Sequence, residues 1–287
     1  MSKKGLKTPL RYPGGKSRAC TKMGQYFPDL REYVEFREPF LGGGSVALHV
    51  SKLYPHLKIT VNDLYEPLIN FWLNLQMFGD ELSTNLKNLK IAHPNQDSAR
   101  CLFAEMKDVI NDSTQNNLDR AVAFYIVNKC SFSGLTESSS FSAQASDSNF
   151  SLRGIEKLPE YSEIISHWHI NSYSYEYCFR TDIHDGLFMY LDPPYDIKDN
   201  LYGKKGAMHK SFDHDKFAAD CDAHNDTKML ISYNSDQLVK DRFKNWKASE
   251  FKLTYTMRSV GEYMRDQQER KELLLFNYEL PEVFTNE

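Results

Sequence analysis

The sequence predicts an α/β fold, in which buried strands alternate with helices. The runs Leu187–Leu191 and Lys228–Tyr233 are largely apolar or aromatic, which is typical of strands covered on both faces. Glu66–Leu89 instead repeats its apolar residues at helical spacing. A glycine-rich stretch, Glu38–Ala47, joins a strand pattern to a helical pattern, as in α/β proteins that bind nucleotides.

The composition is that of an ordinary globular protein. Hydrophobic residues make up 41% of the 287 residues and charged residues 26%, which is sufficient for a sizeable core. The net charge of −4 excludes a global positive field, so a site for a polyanion must arise from local clustering. The five cysteines are scattered and form no C-x-x-C pair, which indicates a reducing compartment and no zinc site. We find neither a secretory leader nor a bilayer-length apolar run and expect a cytoplasmic protein.

The first predicted strand, turn and helix have the pattern of a nucleoside-binding unit. Tyr33–Phe36 is the predicted strand, and Gly42, Gly44 and Ala47 after it fit the pattern G-x-G-x-x-G/A. The glycines allow a close approach of the backbone, and the helix N-terminus faces the ligand. The next predicted strand, Lys58–Asp63, ends in an acid 19 residues after Gly44, a spacing that suits a carboxylate holding ribose hydroxyls. Glycines alone also occur in ordinary turns, but the combination predicts a nucleoside-containing cofactor.

The stretch Gly14-Gly15-Lys16-Ser17 has part of the pattern of a phosphate-binding P-loop. A P-loop needs a second glycine five positions before Gly15, where this chain has Leu10, and no clear strand precedes the stretch. A flexible glycine-rich turn that presents Lys16 is therefore the better interpretation.

The stretch Asp192–Tyr195 directly follows the predicted strand Leu187–Leu191. Pro193 and Pro194 cannot donate to a strand ladder, so the strand ends there. A carboxylate, a stiff backbone corner and the ring of Tyr195 are thereby placed at the carboxyl end of a strand, where ligands bind in open α/β sheets. An ordinary proline-rich turn has the same pattern, so the stretch alone leaves both interpretations open.

A block of helices is expected after the second strand. Besides Glu66–Leu89, the stretches Cys101–Ile110 and Asp119–Val127 repeat apolar residues at helical spacing, and we expect their aromatic residues in the core. Ser131–Ser151 is polar and serine-rich. That composition fits either a disordered surface loop or a recognition loop carried by the scaffold.

Three further strands are predicted in the second half of the chain. Tyr173–Phe179 alternates aromatic residues, and Phe251–Met257 and Glu272–Tyr278 are expected to form a closing antiparallel pair. His167 and His169 are two residues apart but lack a third ligand, so no metal site is expected.

The segment after Tyr195 is basic and contains two glycines. Its cations either form a solvated charged surface or contact phosphates, and their position next to Asp192–Tyr195 favours phosphate contact. The basic residues are Lys198, Lys204, Lys205, His209 and Lys210.

Four short motifs, in one order over most of the chain, resemble those of Dam-like DNA adenine-N6 methyltransferases. The motifs are Tyr12-Pro-Gly-Gly-Lys16, Glu38-Pro-Phe-Leu-Gly-Gly-Gly-Ser45, Asn62-Asp63 and Asp192-Pro-Pro-Tyr195. The resemblance implies a Rossmann-like S-adenosylmethionine-dependent methyltransferase sheet with a mainly helical target-recognition insert. It assigns residues 1–65 and 166–287 to the catalytic methyltransferase domain and residues 66–165 to a target-recognition domain that reads double-stranded DNA. It places near the cofactor S-adenosylmethionine the residues Tyr12, Lys16, Phe40, Gly42, Gly44, Asp63, Phe179 and Asp192.

The chemistry of adenine N6 gives Asp192–Tyr195 a specific catalytic role. The N6 lone pair is delocalised into the ring, so the nitrogen becomes a better nucleophile when both amino hydrogens are accepted. The Asp192 carboxylate and the Pro193 carbonyl can each accept one, and Pro194 fixes the direction of that carbonyl. Tyr195 can stack on an adenine that has left the duplex. The resemblance, together with this chemistry, implies a site-specific DNA adenine-N6 methyltransferase whose catalysis is mainly orientation and electrostatics.

The recognition segment differs from that of the best-known GATC-specific relatives. Those proteins have an arginine shortly after the segment that matches Phe132–Leu135, whereas this chain has Thr136-Glu137. An arginine suits the edge of guanine and a glutamate suits cytosine N4, which argues against recognition of GATC. Within this segment, Ser133 and Glu137 are the residues expected to contact DNA.

Three other functions fit parts of the sequence. A nicotinamide oxidoreductase would explain the glycine and acid pattern but leaves Asp192–Tyr195 and Lys16 without a role. A catalytically silent DNA-binding protein is disfavoured by the intact Asp192. Methylation of cytosine N4 is the closest alternative, and an aspartate rather than a serine at the first position of the motif favours adenine by family resemblance.

Overall fold

Seven strands form one mixed sheet in the part of the chain that this computed structural model describes, namely residues 7–12, 15–17, 19–134, 136, 139–195, 212–252 and 271–280. In chain order the strands are β1 (Glu35–Glu38), β2 (Lys58–Asn62), β3 (His169–Asn171), β4 (Leu187–Leu191), β5 (Lys228–Asn234), β6 (Lys247–Lys252) and β7 (Lys271–Phe276).

The strand order across the sheet is β3-β2-β1-β4-β5-β7-β6. Strands β1 to β5 are parallel, and β7 is antiparallel to both of its neighbours. The chain moves outward from β1 to β3 and then starts again on the other side of β1 at β4. This reversal leaves a crevice at the carboxyl ends of β1 and β4, where open α/β sheets bind ligands. The predicted α/β fold is thus confirmed.

Strand β4 is fully buried and separates two hydrophobic cores. Phe188 and Tyr190 belong to the core on one face, and the alternate residues Leu187, Met189 and Leu191 belong to the core on the other. A strand covered on both faces has this continuous apolar sequence. Because side chains alternate along a strand, the residue that follows, Asp192, lies on the Tyr190 face.

Helices cover both faces of the sheet. None of the helices in the described residues has an apolar stretch long enough to cross a membrane. They are α1 (Cys20–Met23), α2 (Ser45–Leu53), α3 (Glu66–Ala92), α4 (Gln96–Val109), α5 (Asn117–Cys130), α6 (Ala143–Ser148), α7 (Leu152–Ile155), α8 (Leu158–Ile165), α9 (Tyr175–Arg180), α10 (His214–Ala223) and α11 (Gln237–Arg242).

Helices α3 to α8 lie within residues 66–165, and the helical periodicity predicts the first three of them, α3 to α5. Helix α3 places Phe71 and Trp72 in the core that also contains Phe188 of β4, and the Trp72 ring lies 5.7 Å from that of Trp168. The helical block therefore packs directly against the sheet. The division into a catalytic and a target-recognition domain stays a prediction.

The prediction of a strand over Tyr173–Phe179 is wrong. Residues Tyr175–Arg180 form helix α9, and the edge strand β3 lies earlier, at His169–Asn171. A sequence with an aromatic residue at every second position also has aromatic residues four positions apart. Residues four positions apart lie on the same face of a helix. The rings of Tyr175 and Phe179 contact each other in this way, with centroids 5.9 Å apart.

The closing antiparallel pair is present but differs in its bounds from the prediction. Strand β6 begins at Lys247, four residues before the predicted Phe251, and pairs with β7 through Lys252. Residues 253–257 of the predicted strand lie outside the described part of the chain.

The polar segment Ser131–Ser151 contains regular structure where it is described. Ser131 forms an isolated bridge with Phe141, and helix α6 begins after Ser142, whose side chain caps it. Phe150 is fully buried and Phe141 packs against the same core. These two rings anchor the segment, which explains why a serine-rich composition does not yield an unstructured loop here.

Candidate active site

A cavity of about 360 Å³ opens at the carboxyl ends of β1, β2 and β4. Its walls come from the turn around Lys16, the loop between β1 and α2, the residues after β2 and the residues after β4. The structure brings together seven of the eight residues predicted to lie near a cofactor, Tyr12, Lys16, Phe40, Gly42, Gly44, Asp63 and Asp192.

Asp192 follows β4 and is oriented by side chains. The Lys16 ammonium lies 3.0 Å from its Oδ1 and 2.9 Å from its Oδ2, and the Ser232 hydroxyl on β5 donates to Oδ1 over 2.8 Å. Because a carboxylate only accepts, the Ser232 oxygen is left to accept from the Tyr190 hydroxyl, 2.8 Å away. Burial raises the pKa of Asp192, while Lys16 and the Ser232 hydrogen bond lower it. The side chain is 22% exposed, so it still faces the cavity.

Lys16 is enclosed by acceptors. Its ammonium lies 2.9 Å from Asp192, 3.2 Å from Glu272 on β7 and 2.7 Å from the Tyr195 hydroxyl. The Tyr195 hydroxyl in turn donates to Glu272. The lysine predicted to be presented by a flexible turn is therefore 2% exposed and held between two carboxylates, an arrangement that does not leave it for a phosphate.

Asp63 follows β2 and is held by the backbone. Its Oδ2 accepts the Gly42 amide over 2.9 Å and its Oδ1 accepts the Tyr65 amide over 3.0 Å. Burial raises the pKa of Asp63, and these amide bonds oppose the shift. Each carboxylate oxygen keeps further acceptor capacity, so the side chain can still bind ligand hydroxyls from the cavity wall.

Glu38, the last residue of β1, accepts a hydrogen bond from the first turn of helix α2. Its Oε2 accepts the Ala47 amide over 2.8 Å, and the side chain is 3% exposed. Burial raises the pKa of Glu38 well above its ordinary value, and the nearby Asp192 carboxylate raises it further. One of the backbone N–H groups at the N-terminus of α2 is therefore already hydrogen-bonded within the protein.

The two glycines of the predicted fingerprint have positive φ angles, +47° at Gly42 and +65° at Gly44. A Cβ at Gly42 would lie 2.8 Å from Cε1 of Tyr12, and one at Gly44 would lie 2.8 Å from Cζ2 of Trp72. Both positions therefore require glycine for their backbone conformation and for the aromatic rings packed against them.

Aromatic rings form the wall beside Asp63. The Phe40 ring lies 5.6 Å from that of Tyr175 and 5.8 Å from that of Phe212, and all three residues line the cavity. Phe179, the eighth predicted cofactor residue, is 2% exposed and packs behind Tyr175, so it does not line the cavity. Tyr175, on the same helix, lines the cavity instead.

The predicted DNA contacts are only partly described. Ser133 lies in the 3-10 turn Phe132–Gly134, close to the cavity, which Gly134 and Thr136 line. The turn is tied to the N-terminal segment because Asn128 donates to the carbonyls of both Arg11 and Gly134. The other predicted contacts lie outside the described residues and are Glu137, Lys198, Lys204, Lys205 and Lys210.

Four residues of the site were missed at the sequence level, Glu38, Tyr175, Ser232 and Glu272. Glu38 precedes the glycine motif and is the one with a local signal, since an acid ending a buried strand is unusual. Ser232 reaches Asp192, and Glu272 reaches Lys16, because β5 and β7 follow β4 in the sheet. Nothing in the local sequence marks that arrangement.

The cavity suits a cationic nucleoside better than a phosphate or a metal. The Asp63 and Asp192 carboxylates both line it, and carboxylates attract cations. The Ala47 and Gly42 amides, which would face an anion, already bond to Glu38 and Asp63. Within the described ranges, no group of three or more histidine, cysteine or acidic side chains is arranged to hold a metal ion.

Comparison with known proteins gives a consistent family match. The profile of the D12 class N6 adenine-specific DNA methyltransferases matches residues 12–257. A DNA N-6-adenine-methyltransferase from Escherichia phage P1 is 27% identical over 127 residues, which are 44% of this chain and 15% of that protein. The type II methyltransferase M.MjaIII from Methanocaldococcus jannaschii is 25% identical over 138 residues, 45% of this chain and 47% of that protein. The aligned part is thus less than half the length of each of these two relatives.

A third relative is matched along nearly its whole length. The type II methyltransferase M1.LlaDCHI from Lactococcus lactis subsp. cremoris is 23% identical over 270 residues, which are 89% of this chain and 90% of that protein.

Proposed function

The chain belongs to the family of D12 class N6 adenine-specific DNA methyltransferases, and on this premise we propose that it methylates adenine N6 at a specific site in double-stranded DNA, with S-adenosylmethionine as donor. One observation carries the proposal. A carboxylate, Asp192, stands at the carboxyl end of β4, at the reversal of the strand order, with its orientation fixed by Lys16 and Ser232.

The cavity fits S-adenosylmethionine, which supplies a methyl group on a positively charged sulfonium. Its volume of about 360 Å³ lies within the range of small-molecule sites. Asp63 would accept hydrogen bonds from the ribose hydroxyls, and the rings of Phe40 and Tyr175 would flank the nucleoside. The carboxylates at both ends of the cavity complement a cation, which supports this donor over an anionic cofactor.

The target adenine would be held by Asp192–Tyr195. The Asp192 carboxylate and the Pro193 carbonyl accept the two N6 hydrogens, which returns electron density to the nitrogen. Pro194 restricts Pro193 to an extended conformation and so directs its carbonyl. The partly exposed ring of Tyr195 supplies a stacking surface for an adenine turned out of the duplex.

A nicotinamide cofactor is disfavoured by the same geometry. Dinucleotides place their pyrophosphate against the amides at the N-terminus of the helix that follows the glycines. Here the Ala47 amide of α2 bonds to Glu38 and the Gly42 amide bonds to Asp63. Both amide hydrogens are therefore already bonded within the protein and are not available to a pyrophosphate.

Sequence recognition is proposed to come from the turn at Ser133 with Glu137 and from the basic residues Lys198, Lys204, Lys205 and Lys210. The names of two relatives as type II methyltransferases favour a role as the modification enzyme of a restriction-modification pair.

The proposal is tested by incubating the purified protein with duplex DNA of mixed sequence and S-adenosylmethionine labelled in its methyl group. Digestion to nucleosides, followed by mapping of the modified sites, identifies the acceptor. Label in N6-methyladenine at one recurrent sequence is the expected result. Label in N4-methylcytosine would transfer the proposal to cytosine, and unlabelled DNA would contradict methyl transfer.

A further inference from the structure

We propose that Arg37 is a positioning residue for the methyl donor, because its guanidinium holds helix α9 where Tyr175 forms the wall of the nucleoside site. The inference deepens the proposed function and rests on the proposed use of S-adenosylmethionine. Arg37 lies on β1, is 3% exposed and does not itself line the cavity. It therefore acts on the donor through the helix that it holds.

The five N–H donors of the Arg37 guanidinium are all hydrogen-bonded. Nε and Nη2 donate to Oε1 of Glu35 over 2.9 and 2.7 Å. Nη1 donates over 2.7 Å to each of the Cys178 and Thr181 carbonyls, and Nη2 donates over 3.3 Å to the Asp182 carbonyl. The Glu35 side chain, which is 2% exposed, thus orients the guanidinium so that its remaining donors face the end of α9.

Helix α9 depends on such contacts because it is short. It has six residues, and the side chain of its N-cap residue, Ser174, makes no capping bond. Helices of this length are not stable in water on their own. The last carbonyls of a helix have no partner within it, and Arg37 supplies both donors and a positive charge at this end. Asp182, just after the helix, has a φ of +47°, a strained conformation that the same guanidinium supports.

The first turn of α9 belongs to the cavity. Tyr175 lines it with its ring 5.6 Å from that of Phe40, and the Tyr175 hydroxyl donates to Asp220 on α10 over 2.8 Å. The helix is only about 9 Å long, so its two ends move together. A shift at the end held by Arg37 would therefore displace the Tyr175 ring from its place opposite Phe40.

The test is the affinity for S-adenosylmethionine, measured by titration calorimetry without DNA. Arg37→Lys keeps a cation beside Glu35, but three donors on one nitrogen cannot serve both that carboxylate and the α9 carbonyls. The affinity is expected to fall by about tenfold, the effect of losing one well-placed aromatic contact. An unchanged affinity would overturn the inference.

Arg120→Lys is the matched control. Arg120 on α5 also donates to a carbonyl at the end of a helix, that of Ile110 after α4, and it pairs with Glu66. Neither Arg120 nor Ile110 lines the cavity, so the affinity is expected to equal that of the wild type. An equal loss in the control would attribute the effect to any weakened helix end and would overturn the inference.

A double-mutant cycle with Tyr175 separates positioning from a general loss of stability. Tyr175→Ala alone is expected to lower the affinity by about tenfold. Adding Arg37→Lys should then lower it further by less than about twofold, because the ring to be positioned is gone. A second full loss of about tenfold would show that Arg37 does not act through Tyr175 and would contradict the proposal.

A paired variant decides if Arg37→Lys does not fold. Glu35→Leu combined with Arg37→Met replaces both members of a buried ion pair by apolar side chains, which is often neutral or stabilising. The α9 carbonyls still lose their donors, so the affinity is expected to fall by about tenfold here too. Wild-type affinity in the paired variant would overturn the inference. Failure of the wild-type protein to bind S-adenosylmethionine would instead overturn the proposed function, and the inference with it.

Discussion

The two carboxylates at opposite ends of the cavity differ in what holds them. Asp63 follows β2 and is bonded to the Gly42 and Tyr65 amides, whereas Asp192 follows β4 and is bonded to the side chains of Lys16 and Ser232. Asp63 is 8% exposed, and the Asp192 side chain is 22% exposed. Backbone amides hold the Asp63 carboxylate in a fixed position, which suits ligand binding. Side chains hold the Asp192 carboxylate and can set its orientation and its pKa, which suits a role in the reaction.

The largest expected effect on methyl transfer is that of a substitution at Asp192, the carboxylate held by side chains. Asp192→Ala removes an acceptor for the N6 hydrogens and should lower methyl transfer by about a thousandfold or more. The fold should be spared, because Asp192 follows β4 rather than packing within it. Label incorporation into DNA measures the loss, and thermal unfolding checks the fold. Normal turnover in this variant would rule out the proposed role of Asp192.

Asp63→Asn should affect binding and stability together. An asparagine has one acceptor oxygen, so it leaves either the Gly42 or the Tyr65 amide without its partner, at a cost of about 1–3 kcal/mol. Affinity for S-adenosylmethionine should fall by about tenfold or more, because a ribose acceptor is also lost. Chemical denaturation and calorimetry measure the two effects. Unchanged stability with unchanged affinity would contradict the description of Asp63 as the binding end.

Ser232→Ala tests whether a neighbouring side chain lowers the pKa of Asp192. The Ser232 hydroxyl donates to the carboxylate and lowers its pKa, so its removal should raise that pKa. Because the ionised form accepts the N6 hydrogens, activity is lost as the pH falls through this pKa. The acid limb of the pH–rate profile should therefore move to higher pH, and the rate at neutral pH should fall by about tenfold.

Ser249→Ala is the matched control for that measurement. Ser249 on β6 donates to the Tyr26 hydroxyl, away from the cavity. Its profile should coincide with that of the wild type. A shift of the acid limb to lower pH in Ser232→Ala would be inconsistent with the hydrogen bond as described.

The last prediction concerns the pH dependence of stability and Glu38, which lies between the two ends. Its folded pKa is raised, mainly by burial, so its contribution to stability is full below its ordinary pKa of 4.5 and is lost as the pH rises through the folded pKa. Glu38→Gln keeps an acceptor for the Ala47 amide but cannot ionise. Its stability should decline with rising pH less steeply than that of the wild type, by up to about 1.4 kcal/mol per pH unit. Parallel declines in thermal stability as the pH rises from about 4.5 would contradict this.

The sequence predicted the cavity residues whose positions depend on local order. Asp63 and Asp192 were found because each ends a strand, and Gly42 and Gly44 because a strand, a turn and a helix follow one another. Phe179 was predicted to lie beside the cofactor, yet its aromatic repeat is compatible with both strand and helix. Helix α9 buries Phe179 and turns Tyr175 to the cavity instead.

The side-chain network around Asp192 could not be predicted in the same way. Lys16 was predicted to lie near the same cofactor, but its ion pairs with Asp192 and Glu272 were not. Ser232 and Glu272 come from distant parts of the chain and lie at this end of the cavity because the sheet places β4, β5 and β7 side by side. A strand order results from packing over the whole domain, and no single stretch encodes it. The reason for the glycines was also invisible, since the rings that require them, Tyr12 and Trp72, come from other segments.

The most direct test of the two-ended site is the single-turnover rate of methyl transfer at saturating S-adenosylmethionine and DNA, measured side by side in Asp63→Asn and Asp192→Asn. Saturation removes differences in binding, so only the chemical step is compared. We predict a rate within about threefold of the wild type for Asp63→Asn and a loss of about a hundredfold or more for Asp192→Asn. Equal losses in the two variants, or a near-normal rate in Asp192→Asn, would contradict the assignment of binding to one end and chemistry to the other.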